Sequence, residues 1–319
     1  MSKATPPALA LRSGLTADWK SRLATGLPLW LLAWLAGTAL WQSAKLRPAL
    51  QRGHRLAAAS TAFTVKARRR RERPARVLVV GDSTGVGVGA SDPSESVPGL
   101  LARDHPDIDI INLCHNGDQV ADVLPRLHRN GWHHQRFDAV LLHVGGNDVL
   151  KRLSLSALRR DVISLLHTLR QMSDCVVWLG PANIGLASPF LPPLSWWLSR
   201  RTRRFCRLFA RCAREQDVDF VNFFSEPRDD VFSRERSTYF AADRFHPSSA
   251  SYRYCYDKVR QRTRLTTVLS RQRAQAARMA RNAPANLSQR HTDQPRMRAT
   301  QERPVQRQSA KQRDRIIEP

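Results

Sequence analysis

The chain has 319 residues, 42% of them hydrophobic, enough apolar material for one generous α/β domain with extensions. A formal net charge of +25 would point to nucleic acid or an anionic membrane if it were spread over the folded part. It is concentrated at the ends, with +13 in residues 1–76, +10 in residues 262–319 and only +2 in residues 77–261, which argues against a nucleic-acid enzyme at the centre. Five cysteines, an odd number with no CxxC pair, suggest neither a disulfide framework nor a zinc site.

After a basic segment over 1–22, the stretch 23–44 carries no charged residue and is strongly apolar from Leu27 to Trp41. As a helix it would rise roughly 33 Å at about 1.5 Å per residue, close to a hydrocarbon core of about 30 Å. Trp30, Trp34 and Trp41 suit the interfacial belt, so a single transmembrane helix is predicted over 23–44. Its near flanks tie in positive charge. The further run Lys66, Arg68, Arg69, Arg70, Arg71 and Arg73 tips the balance toward a cytoplasmic catalytic domain on a bacterial inner membrane, with 45–75 as a basic linker.

Apolar, β-branched runs then alternate with helical patterns. Arg76–Val80, Ile108–Leu113, Ala139–Val144, Cys175–Leu179 and Val218–Phe223 read as strands, and 119–129, 155–172, 194–214 and 248–261 as helices. Near-continuous apolar strands imply burial on both faces. The predicted architecture over 76–261 is a three-layer α/β/α sandwich with a central parallel, flavodoxin-like sheet and its site at the carboxyl ends of the strands. On the 194–214 helix Arg200, Arg204, Arg207, Arg211 and Arg214 share one face, and Phe205, Leu208, Phe209 and Cys212 another. That describes a sheet-covering helix with a solvated face. With Phe190, Leu191, Leu194, Trp196 and Trp197 just before it, it also describes a basic, aromatic-edged surface for anionic lipid. The Arg-, Gln-, Ala- and Pro-rich stretch 262–319 is expected to be a disordered basic tail.

The first strand runs directly into Gly81-Asp82-Ser83-Thr84-Gly85. A serine at a strand end among small residues can meet a substrate carbonyl, though a glycine-rich loop there could equally cradle a phosphate. No GxxxxGK[ST] lysine is present, nor a GxGxxG opening a helix. Three further groups follow in order: Asn116-Gly117 after the second strand, Gly145-Gly146-Asn147-Asp148 after the third, and Asp243-Arg244-Phe245-His246-Pro247 near the end of the domain. An imidazole is a natural base near neutrality, and an acid three residues earlier can hold its tautomer.

Together these four groups resemble the SGNH (GDSL-like) hydrolase family, in order and in spacing over roughly 76–261. The resemblance implies a serine esterase without a cofactor or metal: Ser83 as nucleophile, His246 as base, Asp243 as its orienting acid. Its oxyanion hole would be the backbone N–H groups of Ser83 and Gly117 with the Asn147 side-chain amide. Two departures, Cys114-His115 before the oxyanion glycine and Thr84 after the serine, flank the pocket and leave the substrate class open. With the predicted anchor and the 189–197 patch, lipid-like acyl esters or lysophospholipids are favoured. A carbohydrate deacetylase, an acyltransferase and, from another class, an inert membrane-tethered scaffold are the alternatives. His143 is expected to be a satisfied core histidine, and oligomeric state is not legible.

Overall fold

The computed structural model describes residues 29–67, 74–151 and 154–282. Strands β1 (Ala75–Gly81), β2 (Ile108–Asn112), β3 (Ala139–His143), β4 (Val176–Leu179) and β5 (Asp219–Val221) form one parallel sheet in the order β2-β1-β3-β4-β5. Leu78 on β1 stands opposite Ile111 on one side and Val140 on the other, fixing the register of the three strands around the site. This order reverses direction between β1 and β3, and such a switch point opens a crevice at the carboxyl ends of the strands.

The strand sequences are apolar on both faces because helices cover both. Leu78, Val80, Val140 and Leu142 pack against α4 (Val120–Arg129), α6 (Leu155–Met172) and α7 (Leu194–Glu215), through Val123, Leu165, Leu166, Phe205 and Phe209. Val77, Val79, Ala139 and Leu141 face the other way, toward α3 (Val97–Asp104), α10 (Ser249–Arg262) and α11 (Leu265–Asn282), through Leu100, Leu101, Tyr252, Val259 and Leu265. Short helices α2 (Ser83–Val86), α5 (Gly146–Leu150), α8 (Val231–Arg234) and α9 (Arg236–Tyr239) sit in the connections. On α7 the arginines at 200, 204, 207, 211 and 214 are exposed while Phe205, Phe209 and Cys212 are buried, so its two faces divide as the periodicity predicts.

The transmembrane helix predicted over 23–44 is not found among the described residues. Residues 23–28 lie outside the described residues, and among the described ones no helix is long and apolar enough to cross a membrane. The described part of that stretch belongs to α1 (Leu29–Ala59), which does not stop at Ala44 but continues as one 31-residue helix through Lys45, Arg47, Pro48, Arg52 and Arg55. Its second half lies on the domain, with Ala49 buried. The stretch read as a linker is thus partly helical, and beyond α1 Val65 forms an antiparallel bridge with Ile110 at the edge of β2. The stretch read as a disordered tail also begins as structure: α11 buries Leu265 and Leu269 in the core, and residues 283–319 lie outside the described residues. The segment 1–22 lies outside them as well.

Candidate active site

β1 ends at Gly81, and the chain turns at once into α2, whose first residue is Ser83. Asp82 caps that helix: its buried carboxylate accepts from the Thr84 N–H at 2.9 Å and from the Thr84 hydroxyl at 2.7 Å. Ser83 therefore stands at the carboxyl edge of the sheet on a rigid elbow. From the other end of the domain comes a tight turn closed by a bridge between Phe240 and Pro247. Within it Arg244 adopts a left-handed φ of 59°, and Asp243 Oδ1 accepts from the backbone N–H groups of Phe245 and His246, both at 3.0 Å.

The two pieces meet. With its proton on Nδ1, His246 donates to Asp243 Oδ2 at 2.5 Å and its Nε2 accepts from Ser83 Oγ at 3.1 Å. Asp243 is fully buried; burial works to raise its carboxyl, but the hydrogen bond and charge of His246 and the two backbone donors hold it below its ordinary value. An ionised acid, an oriented imidazole and a hydroxyl are thus joined in one chain.

Gly117 lies beyond β2 at φ +84°, with open space where a side chain would be, so glycine is needed there for its backbone conformation rather than for room. Neither the Ser83 nor the Gly117 N–H donates to a protein group among the described residues. Asn147, in α5 after β3, sends one amide hydrogen to the Asp118 carbonyl at 2.9 Å. This bond ties the GxND loop to the residue following Gly117.

A family model described as GDSL-like lipase/acylhydrolase matches residues 79–254. This chain belongs to that family. It is a hydrolase acting on esters. Among solved structures it is similar to a lipase/acylhydrolase from Enterococcus faecalis, at 16% identity and a TM-score of 0.47, over 62% of this chain and 96% of that one. It is also similar to Axe2, an acetylxylan esterase from Geobacillus stearothermophilus, at 21% identity and a TM-score of 0.44, over 58% and 93%. TesA matches at 24% identity and a TM-score of 0.44, over 58% and 95%. No curated protein sequence matches the chain.

In this GDSL-like hydrolase a cavity of about 140 Å³ opens beside Ser83, Asn147 and His246 and runs between Val144, Leu179, Ile184, Phe223, Phe232 and Phe240. Several supporting residues carry no sequence signal of their own. Asn112, at the end of β2, donates to the Gly85 carbonyl at 2.9 Å and accepts from the Cys114 N–H at 3.0 Å, locking the Cys114-His115 departure against α2. Asp118 is held by Arg126 through both carboxylate oxygens. Trp178 donates to the Val144 carbonyl at 3.0 Å and so steadies the chain leading into GGND.

Asp82 and Asp148, the acids flanking Ser83 and Asn147, each hold backbone of a neighbouring turn or helix start. Asp148 accepts from the Val120 N–H, and burial pushes its carboxyl up to about 7; burial likewise pushes Asp82 up to about 6, against the Thr84 hydrogen bonds. His143 differs from expectation: it is buried, but its Nε2 meets no partner among the described residues, and burial lowers it to about 3, keeping the ring neutral.

Proposed function

We propose that this hydrolase cleaves carboxylic esters through an acyl-enzyme on Ser83, with a lipid-like acyl group in the apolar cavity. As Ser83 Oγ bonds to the substrate carbonyl carbon, its proton passes to His246 Nε2, and the carbonyl electrons move onto oxygen. That oxyanion takes hydrogen bonds from the Ser83 and Gly117 N–H groups and the second amide hydrogen of Asn147. Collapse breaks the ester C–O bond, and the leaving alcohol collects the proton from the imidazolium. Water then repeats the sequence, its proton going to Nε2 and its oxygen to the acyl carbon, and Ser83 leaves with the proton restored. Asp243 stays ionised throughout and holds the imidazole with its Nδ1 proton inward.

The observation that carries this reading is the unbroken chain Asp243–His246–Ser83 at the mouth of a cavity lined mainly by apolar side chains. A panel of p-nitrophenyl esters from acetate to palmitate tests it. The expected outcome is a kcat/KM that rises beyond acetate, and a Ser83→Ala protein that melts normally but loses turnover and fluorophosphonate labelling. Retained labelling would move the nucleophile elsewhere, and a strict preference for acetate would remove the lipid-like acyl group.

A further inference from the structure

Helix α1 lies outside the matched family region, yet it reaches the catalytic pair. Gln42, Leu46, Ala49, Gly53 and Ala57 recur at intervals of four, three, four and four, so they share one face of the helix, and all are wholly or partly buried while their neighbours on the opposite side are exposed. Both ends of this face are fastened to the domain. Gln42 donates to the Pro189 carbonyl at 2.6 Å and accepts from the Leu191 N–H at 2.8 Å. Asn116, immediately before Gly117, donates to the Ala57 carbonyl at 3.0 Å. Beyond the helix, Val65 exchanges two hydrogen bonds with Ile110, and the Ala67 N–H donates to Asp109 Oδ1 at 2.8 Å.

Between the fastenings lies Gly53. A methyl group placed there would sit 3.2 Å from Asp243 Oδ2 and 3.8 Å from His246 Cε1. Asp243 Oδ2 is the oxygen that receives the Nδ1 proton. The helix backbone at Gly53 is therefore packed against the Asp–His hydrogen bond, beside Asp243 Oδ2 and the Cε1–Nδ1 edge of the His246 ring, and glycine lets it come that close. A mid-helix glycine costs roughly 0.5–1 kcal/mol relative to alanine, so a helix serving only as scaffold gains nothing from it.

We infer that Gly53 is a positioning residue for the esterase reaction and that α1 is the outer wall of the Asp243–His246 pair, excluding water from their hydrogen bond and fixing the ring's orientation toward Ser83. The inference rests on the Ser–His–Asp reading above. Removing water from a charged hydrogen bond strengthens it, and a ring held on both sides cannot turn away from the serine. In the transition state the pair carries an imidazolium against a carboxylate, so the wall acts mainly on the rate of the chemical step and little on substrate binding.

Full-length Gly53→Leu tests this beside Ala58→Leu, whose side chain is exposed on the same helix. The leucine at 53 is expected to lower kcat roughly tenfold or more with KM within about twofold, and to shift and broaden the downfield proton resonance of the His246–Asp243 hydrogen bond, while Ala58→Leu matches wild type. Wild-type kcat and an unmoved resonance in a folded Gly53→Leu protein overturn the inference. Should that variant fail to fold, Gln42→Ala releases the clamp far from the pair: a fall in kcat at constant KM supports the wall, and unchanged kcat overturns it. Ser83→Ala separates the two levels, because activity surviving in Ser83→Ala overturns the reading beneath, whereas a dead Ser83→Ala with an indifferent position 53 overturns only the wall.

Discussion

At Asn147 one amide hydrogen is spent on the Asp118 carbonyl, and the oxyanion role proposed above rests on the other. Removing a donor that strengthens only in the transition state costs about 10²–10³ in kcat. Asn147→Ala is therefore expected to fall by that factor with KM nearly constant in steady-state assays, whereas a loss below about threefold would leave it only the task of joining two loops. Asp148, one residue on, makes a prediction of the opposite kind, about stability. Its ordinary carboxyl value of 3.8 is raised to about 7 by burial, so the folded state holds the proton more tightly than the unfolded chain does. The stability this contributes is complete below about pH 4 and is lost as pH rises through 7. Measured by denaturant midpoints, wild type should lose ground to Asp148→Asn between pH 4.5 and 7.5; a constant gap would mean that Asp148 is ionised in the fold. At this scale the meeting of Ser83, His246 and Asp243 was legible because the spacing of the groups follows the sheet's own rhythm, each ending a strand or a turn. Asn112, Asp118 and Trp178 were not, since they act through backbone groups distant in sequence and ordinary polar residues look alike until the chain is folded.

The elements divide by how local their causes are. The helices at 120–129, 155–172 and 249–262 and the five strands fall within a residue or two of their predicted bounds, because amphipathic period and apolar runs are written within each segment. The errors lie where tertiary contact overrode composition. The stretch 45–59 is charged and reads as linker, yet every third or fourth residue is small or neutral, and that sparse stripe is enough to dock it. Likewise α11 opens a segment whose overall composition is that of a solvated tail, but Leu265 and Leu269 one turn apart supply a core face. Leu269, only 2% exposed, tests that assignment: Leu269→Ala should cost about 2–5 kcal/mol in denaturant unfolding, and a cost under about 0.5 kcal/mol would detach α11 from the core.

For the whole molecule, charge and catalysis are kept apart. Of the net +25, +23 resides in the two ends, and the part that houses the cavity is close to neutral, so long-range fields should matter little for a neutral ester. Removing residues 283–319 is expected to leave kcat/KM on a neutral p-nitrophenyl ester within about twofold at both 50 mM and 500 mM salt; a strong salt dependence that vanishes with the tail would show that the basic end reaches the site. The course of α1 has a practical sequel. The matched region, 79–254, omits the helix that abuts the Asp–His pair, the bridge at Val65 and both buried leucines of α11. A protein trimmed to that region would keep every motif residue and still be a different machine, and rate constants measured on it would describe the excised fragment while the native catalyst went unmeasured.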